Sequence, residues 1–338
     1  MGKIALISPY LSADSSELGL IDSLGFNVKY IAYEKGISGG KKCGPMGVKL
    51  YSLKEFASKE NYYLVKDVDS VISICPKSAL LFLLYAQVRN DTLKPIKEYI
   101  RKLIILPFFD YVEDDWEAIV KAISAVSRDV KWVIPIWYDI LRYMLDWYGV
   151  NYKLYFPKRW KGALEETNYD NNSINREGVV WYGRNTYYKR YDVLNEVAIL
   201  TKRSITFDAI YLEFMSRHRK LEKSIKKHGK LSYKDWLELL KKRLVYLHTG
   251  IRETYAFSIS DAIKCGCVPV ILFSNWNSGL VDRYKYKFSK TEQAAAYIEE
   301  IHNNKEQAYR SVKSWVEYII DKFSKVEHVS EASEIIGD

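Results

Sequence analysis

The sequence predicts an α/β protein of two domains, each built on a mostly parallel sheet, and three observations carry that prediction. The chain has 338 residues, more than one hydrophobic core usually organises, since single cores stop growing near ~250–300 residues. Short apolar runs alternate with stretches of helical periodicity in both halves, the pattern of strands joined by crossover helices. Between the halves, residues 161–178 are rich in Asn, Asp and charge and read as a linker.

The chain opens on Lys3–Ser8, an apolar run with the character of a buried first strand, followed by a polar turn and a helix-like segment through Leu24. Gly25 and then Phe26–Tyr33 complete a βαβ unit. Residues 36–47 form a loop rich in glycine and lysine. No G-x4-G-K-[ST] spacing runs through Gly36, Gly39, Gly40 and Lys41, so it is not a P-loop; a loop that closes over substrate is expected instead. Further strands are expected at Ser70–Cys75, Leu103–Pro107 and Val133–Ile136, with Tyr152–Trp160 leading into the linker.

The second half repeats the alternation. Val179–Tyr182 is strand-like and is followed by Gly183, Arg184 and Lys189. Ser232-x-x-Asp235 reads as a helix start, Leu244–Thr249 as a strand, and Ser289-x-x-Glu292 as another helix start. The last long helix places Val312, Trp315, Val316, Ile319, Ile320 and Phe323 on one face, which has to pack against something.

Two segments carry chemistry. In residues 250–272 the acids Glu253 and Asp261 stand eight apart. Tyr255, Ile259, Ala262, Ile263 and Gly266 recur at helical spacing, and Val268–Leu272 is a core strand. A helix beginning just after Glu253 separates the two carboxylates by roughly 12 Å along its axis, enough to span a diphosphate. One acid then accepts from sugar hydroxyls and the other from ribose hydroxyls, with the amides of residues 250–253 turned to the phosphates at the positive helix end. An acid favoured by the helix dipole plus one solvated helical acid gives the same spacing. In the second segment, Arg184 and Lys189 can converge on a diphosphate and neutralise charge that builds on a leaving group, although basic residues at strand ends are commonly just solvated.

Together these segments resemble the donor-binding region of GT-B-fold glycosyltransferases, specifically the retaining class marked by E-x7-E, an alanine-bearing helix, Gly and a Pro-Val-Ile strand. The match runs through Glu253, Asp261, Ala262, Gly266, Pro269, Val270 and Ile271. Gly183, Arg184 and Lys189 resemble the same family's upstream G-R-x4-K element. Thr249 stands where the family often has serine, Tyr255 where it often has phenylalanine, and the second acid is Asp rather than Glu. The resemblance implies two Rossmann-like domains facing a central cleft, with the C-terminal helix crossing back to the first: an acceptor domain over residues 1–165 plus about 306–326, and a donor domain over 175–305. It also implies transfer of a sugar from a nucleotide-sugar with retention of configuration and without metal or other cofactor. Arg184 and Lys189 would stabilise the departing diphosphate and Glu253 would hold the donor sugar. Gly183, Gly250, Ile251, Arg252 and Thr254 would line the donor, and Asp261 would hold the ribose. The family often has a histidine in its first domain; all five histidines here (His218, His228, His248, His302, His328) lie in the second half. Asp110 is the stand-in on the acceptor side, with Tyr10.

Other features weigh less. Asp67-Val-Asp69 has the form of a metal-binding D-x-D, but it precedes an apolar run as a polar turn before a strand does. Glu113, Asp114 and Asp115 suit the start of a helix. Trp132, Trp137, Tyr138, Tyr143, Trp147 and Tyr148 suit core and domain-edge packing, with sugar stacking or membrane insertion as functional alternatives. Four scattered cysteines exclude a disulfide framework, and Cys265-x-Cys267 lacks the second pair that a zinc site needs. A reducing cytosol is the expected compartment, without transmembrane helix or signal peptide. Three glutamines against 51 Lys plus Arg lean towards a thermophile. The net charge of +9, concentrated in residues 217–230 and 241–243, reads as solvated helix faces, or as peripheral contact with an anionic membrane. The expected partners are a nucleotide-sugar and a glycan, lipid or protein acceptor; nucleic acid is not expected. A GT-B epimerase, an inverting transferase, a basic nucleic-acid-binding protein and a catalytically silent carbohydrate-binding domain are the alternatives.

Overall fold

The computed structural model describes residues 3–10, 27–35, 48–58, 60–89, 93–107, 116–156, 160, 162–163, 175–183, 189–201, 205–210, 225–229, 231–251, 256–275 and 277–326; the side chains of 9, 10, 34, 35, 88, 89 and 93–96 are outside the description. The predicted helix before Leu24, the 36–47 loop, Cys43, residues 113–115 and residues 217–224 therefore lie outside it. The chain divides into two compact units, the first reaching Phe156 and the second running from Pro157 to Val326.

The first unit contains β1 (Lys3–Tyr10), β2 (Asn27–Lys35), β3 (Lys49–Ser52), β4 (Ser70–Ser73), β5 (Leu103–Ile105), β6 (Lys131–Pro135) and β7 (Tyr152–Tyr155). They lie in the order β3-β2-β1-β4-β5-β6-β7, every neighbouring pair parallel. Strand order reverses between β1 and β4, the hallmark of a doubly wound sheet. The central strands are buried on both faces, as parallel strands covered by crossover helices must be: Ile4, Ile7, Val71, Ile105 and Ile134 are fully buried. The segment predicted to lead into the linker instead supplies β7, because Tyr152–Tyr155 is an aromatic-rich run that pairs with Trp132–Pro135, and such residues suit a pleated, half-buried surface.

The second unit contains β8 (Val179–Tyr182), β9 (Phe207–Ile210), β10 (Ile225–His228), β11 (Val245–His248), β12 (Val268–Leu272) and β13 (Lys287–Phe288). Their order is β10-β9-β8-β11-β12-β13, again parallel throughout. Part of the basic cluster read as a helix face is thus strand: Lys226 and Lys227 lie exposed on the edge strand β10, where lysines discourage edge-to-edge pairing. A buried carboxylate holds that edge. Asp208 of β9 meets His228 Nε2 at 2.6 Å and accepts from Arg243 Nε at 2.5 Å, the pairing a fully buried charge requires.

Ser232 caps the Tyr233–Leu240 helix as predicted, its Oγ accepting from Asp235 N at 3.1 Å. The helix at Thr291–Asn303 forms, but Gln293 Oε1, not a Ser289–Glu292 box, accepts from the amides of Ser289 and Lys290. The last helix, Lys305–Ser324, buries Val312, Trp315, Val316, Ile319 and Phe323, while Ile320 is 40% exposed. One residue past Ile319, Ile320 is turned about 100° off the apolar stripe. Trp315 Nε1 donates to Leu280 O at 3.0 Å, its ring stacks on Tyr284 at 4.0 Å, and Tyr318 OH donates to Asp282 Oδ2 at 2.9 Å. By these contacts the helix groups with the second unit.

Candidate functional site

In a doubly wound sheet, ligands sit beyond the carboxyl ends of the strands at the point where strand order reverses. In the second unit that point lies between β8 and β11. Trp181 pairs with Leu247, so Gly183 and Thr249 leave their strands side by side. The two segments that the sequence singles out, far apart in the chain, therefore emerge together where a switch-point ligand is expected.

Hydrogen bonds join them. Trp181 Nε1 donates to Thr249 Oγ1 at 2.7 Å, and the Thr249 hydroxyl donates to the carbonyl of Lys189. Trp181 and Thr249 are fully buried, and Lys189 is 9% exposed. The indole also explains Gly183: a Cβ there would stand 2.7 Å from Trp181 Cζ2 and 3.2 Å from Lys189 Cβ. Here glycine answers a close approach, with the ring it faces held by Thr249. His248, at the end of β11, is buried, and burial, followed by the nearby Lys189 ammonium, pulls its pKa down to about 3. It is a neutral imidazole at physiological pH and adds no charge to this strand end.

The helices that follow β8 and β11 both start on a left-handed residue that is not glycine: Arg190 (φ 49°) before Tyr191–Leu200 and Ala256 (φ 46°) before Phe257–Lys264. Such backbone costs about 1–2 kcal/mol for an L-residue and tends to collect at functional sites. Beside Arg190, a cavity of about 440 Å³ opens at the ends of β12 and β13, lined by Leu272, Phe288, Ser289, Lys290 and Thr291 among others. Arg190 itself forks onto Asp192, with Nη2 to Oδ2 at 2.9 Å.

The helix after β11 spans Phe257–Lys264; Glu253, from which the axial spacing to Asp261 is reckoned, lies outside the described residues. Asp261 lies about one turn in and is 3% exposed. Its Oδ1 accepts from Tyr233 OH and its Oδ2 from Trp236 Nε1, both at 3.1 Å. Trp236 packs against the exposed Tyr182 ring at 5.2 Å. The carboxylate is thus oriented by the Tyr233–Leu240 helix.

Of the predicted residues, Gly183 approaches the Lys189 side chain, Gly250 follows Thr249, which is bonded to Lys189, Ile251 is half-buried beside Gly250, and Asp261 meets Tyr233 and Trp236. Glu253, Arg184, Arg252, Thr254 and Asp110 lie outside the described residues, as does the Tyr10 side chain. Asp67 and Asp69 are at the amino end of β1, away from the ligand edge: Asp69 Oδ2 accepts from Lys3 N at 2.7 Å, and Asp67 accepts from Lys29 and Tyr30. The Lys29 hydrogen bond, then that of Tyr30, holds the Asp67 carboxyl below the usual carboxylate range. Among the described residues no cluster of His, Cys, Asp and Glu is arranged to hold a metal ion, and no helix is long and apolar enough to cross a membrane. Sequence reasoning missed Trp181, Tyr233 and Trp236. A tryptophan two residues before a strand-end glycine was the available signal for the first; the other two are joined to Asp261 only by folding.

By sequence the chain matches no family profile and no curated protein. By structure it is similar to HepE of Anabaena in complex with UDP and glucose, at 12% identity, 96% coverage of both chains and a TM-score of 0.68. It is similar to an α-glucosyltransferase in complex with UDP and a 13-mer DNA containing an HMU base, at 13% identity, 99% and 98% coverage and a TM-score of 0.59. Sucrose-phosphate synthase of Thermosynechococcus elongatus follows at 12% identity, 96% and 98% coverage and 0.56. The chain has the α/β architecture of two parallel sheets shared with these GT-B structures.

Proposed function

From that GT-B frame, we propose that the chain is a glycosyltransferase moving a sugar from a nucleotide-sugar to a glycan, lipid or protein acceptor, with retention of configuration and without metal. The observation that carries this reading is the Trp181–Thr249–Lys189 connection, which locks the ends of β8 and β11 together at the switch point. Lys189, with Arg184 five residues before it, binds the diphosphate and stabilises its departure. Gly183, Gly250, Ile251, Arg252 and Thr254 line the donor, Glu253 holds the sugar hydroxyls, and Asp261 holds the ribose. Asp110 and Tyr10 serve the acceptor side. The complexes of HepE and of the α-glucosyltransferase contain UDP, which makes a UDP-sugar the first donor to try. Exposed lysines such as Lys226 and Lys227 suit a peripheral contact with anionic lipid in the cytoplasm.

The test is a thermal-shift panel of UDP, GDP, ADP and CDP with their sugar conjugates. One nucleotide class is expected to raise the midpoint by several degrees, and the product anomer, read by proton NMR, is expected to keep the donor's configuration. EDTA is expected to leave turnover intact; restoration of lost activity by manganese would refute the metal-free reading. Sugar isomerisation without acceptor would identify an epimerase instead.

A further inference from the structure

The first unit carries an aromatic surface that the donor reading does not use. The Asp139–Trp147 helix joins β6 to β7 and buries Leu141 and Leu145. At about 100° per residue, the positions opposite those two are Tyr143 and Trp147. They are 66% and 72% exposed, their ring centroids lie 6.3 Å apart, and their planes differ by 30°. Trp132, Trp137 and Tyr138, from the same aromatic-rich stretch, are buried. The core-packing expectation therefore holds for those three and fails for this pair. One flank of the pair carries Asp139, Arg142 and Asp146, and the other Ile140 and Met144. A groove of about 460 Å³ runs among them, lined by Asp139, Ile140, Arg142, Tyr143, Met144 and Asp146.

We propose that Tyr143 and Trp147 form a stacking platform for an uncharged oligosaccharide, separate from the donor site. Two exposed rings tilted by 30° present π-faces to the axial C–H face of successive sugar rings. The flanking groups are the kind that pair with hydroxyls: carboxylates that accept and a guanidinium that donates. Arg142 Nη2 already meets Asp139 Oδ1 at 2.9 Å, so with Asp146 the flank carries one net negative charge, which disfavours an anionic ligand and suits an uncharged one. The other occupants fit less well. An anionic membrane needs clustered cations, and the helix offers one Arg against two Asp. A stable self-association needs ~800 Å² per partner, whereas the two exposed rings offer on the order of 300 Å², the size of a small functional patch.

The experiment titrates the full chain, labelled with nitrogen-15 at tryptophan indoles, with linear gluco-, galacto- and manno-oligosaccharides of one to seven units. The platform requires one series to shift the Trp147 resonance, with affinity rising over the first few sugars. It also requires Trp147→Ala and Tyr143→Ala each to weaken that binding by tenfold or more while UDP binding by the second unit stays unchanged. Binding of no series, or equal binding by wild type and both variants, overturns the proposal. So does salt-sensitive, Trp147-dependent sedimentation with phosphatidylglycerol vesicles, or a dimer that Trp147→Ala dissociates. Because UDP binding is read separately, loss of the donor reading leaves this result interpretable.

Discussion

Replacing Thr249 with Val keeps the volume and the β-branched shape but removes the hydroxyl that joins Trp181 to Lys189. Two groups lose a partner in buried surroundings, the Trp181 indole N–H at 2.7 Å and the Lys189 carbonyl. A stranded buried donor or acceptor costs about 1–3 kcal/mol, so with two of them Thr249→Val is expected to cost about 2–6 kcal/mol. Thr249→Ser retains the hydroxyl and loses one methyl, worth about 1 kcal/mol. The substitution also frees the turn that presents Lys189. A charge-assisted contact is worth about 1.5–3 kcal/mol, so nucleoside diphosphate affinity is expected to fall roughly tenfold to a hundredfold in the Val variant and to stay near wild type in the Ser variant. Urea denaturation followed by tryptophan fluorescence reads the stability, and calorimetric titration with UDP reads the affinity. If Val and Ser variants behave alike in both assays, the hydroxyl does not hold the two strand ends together and the reasoning fails.

Other expectations rest on single residues. Ala256→Gly relieves a left-handed alanine and should raise stability by up to about 1 kcal/mol in denaturant titration; a loss would show that the φ of 46° is not the strained state it is taken for. Asp261→Ala strands the buried Trp236 Nε1 and removes the acceptor of Tyr233 OH, and should cost about 1–3 kcal/mol, measurable as a lower urea midpoint. His248 has a folded pKa of about 3, below the ~6.5 of an unfolded imidazole, so the unfolded chain takes up the proton first. Stability conferred by its burial is complete above pH ~6.5 and lost as pH falls towards 3, with a slope approaching about 1.4 kcal/mol per pH unit. Stability curves across that window should be flatter in His248→Gln.

The second unit was legible where sequence pattern and folding agree. Val179–Tyr182, Val245–His248 and Val268–Leu272 declare themselves as β-branched or aromatic runs. Gly266 with φ +78° is the glycine that a turn between helix and strand demands. What sequence could not supply is pairing across distance. Nothing in the chain says that Tyr233 and Trp236 close onto an acid 25 or more residues later, or that Thr249 reaches the carbonyl of Lys189. Nor does local pattern fix where a helix begins. The apolar spacing from Tyr255 onwards suited an earlier start, but Ala256 adopts a left-handed conformation and defers the helix to Phe257. Likewise Tyr143 and Trp147 belong to a buried aromatic stretch by composition, and only the rotation of their helix sets them outside.

If the carboxyl ends of β8 and β11 share one nucleoside diphosphate, backbone amide shifts in a perdeuterated, nitrogen-15-labelled sample titrated with UDP will show it. Saturable changes are expected at Gly183, Lys189, Thr249 and Gly250 together, reduced in Lys189→Ala. Changes confined to other strand ends, or saturation undiminished in Lys189→Ala, would contradict it.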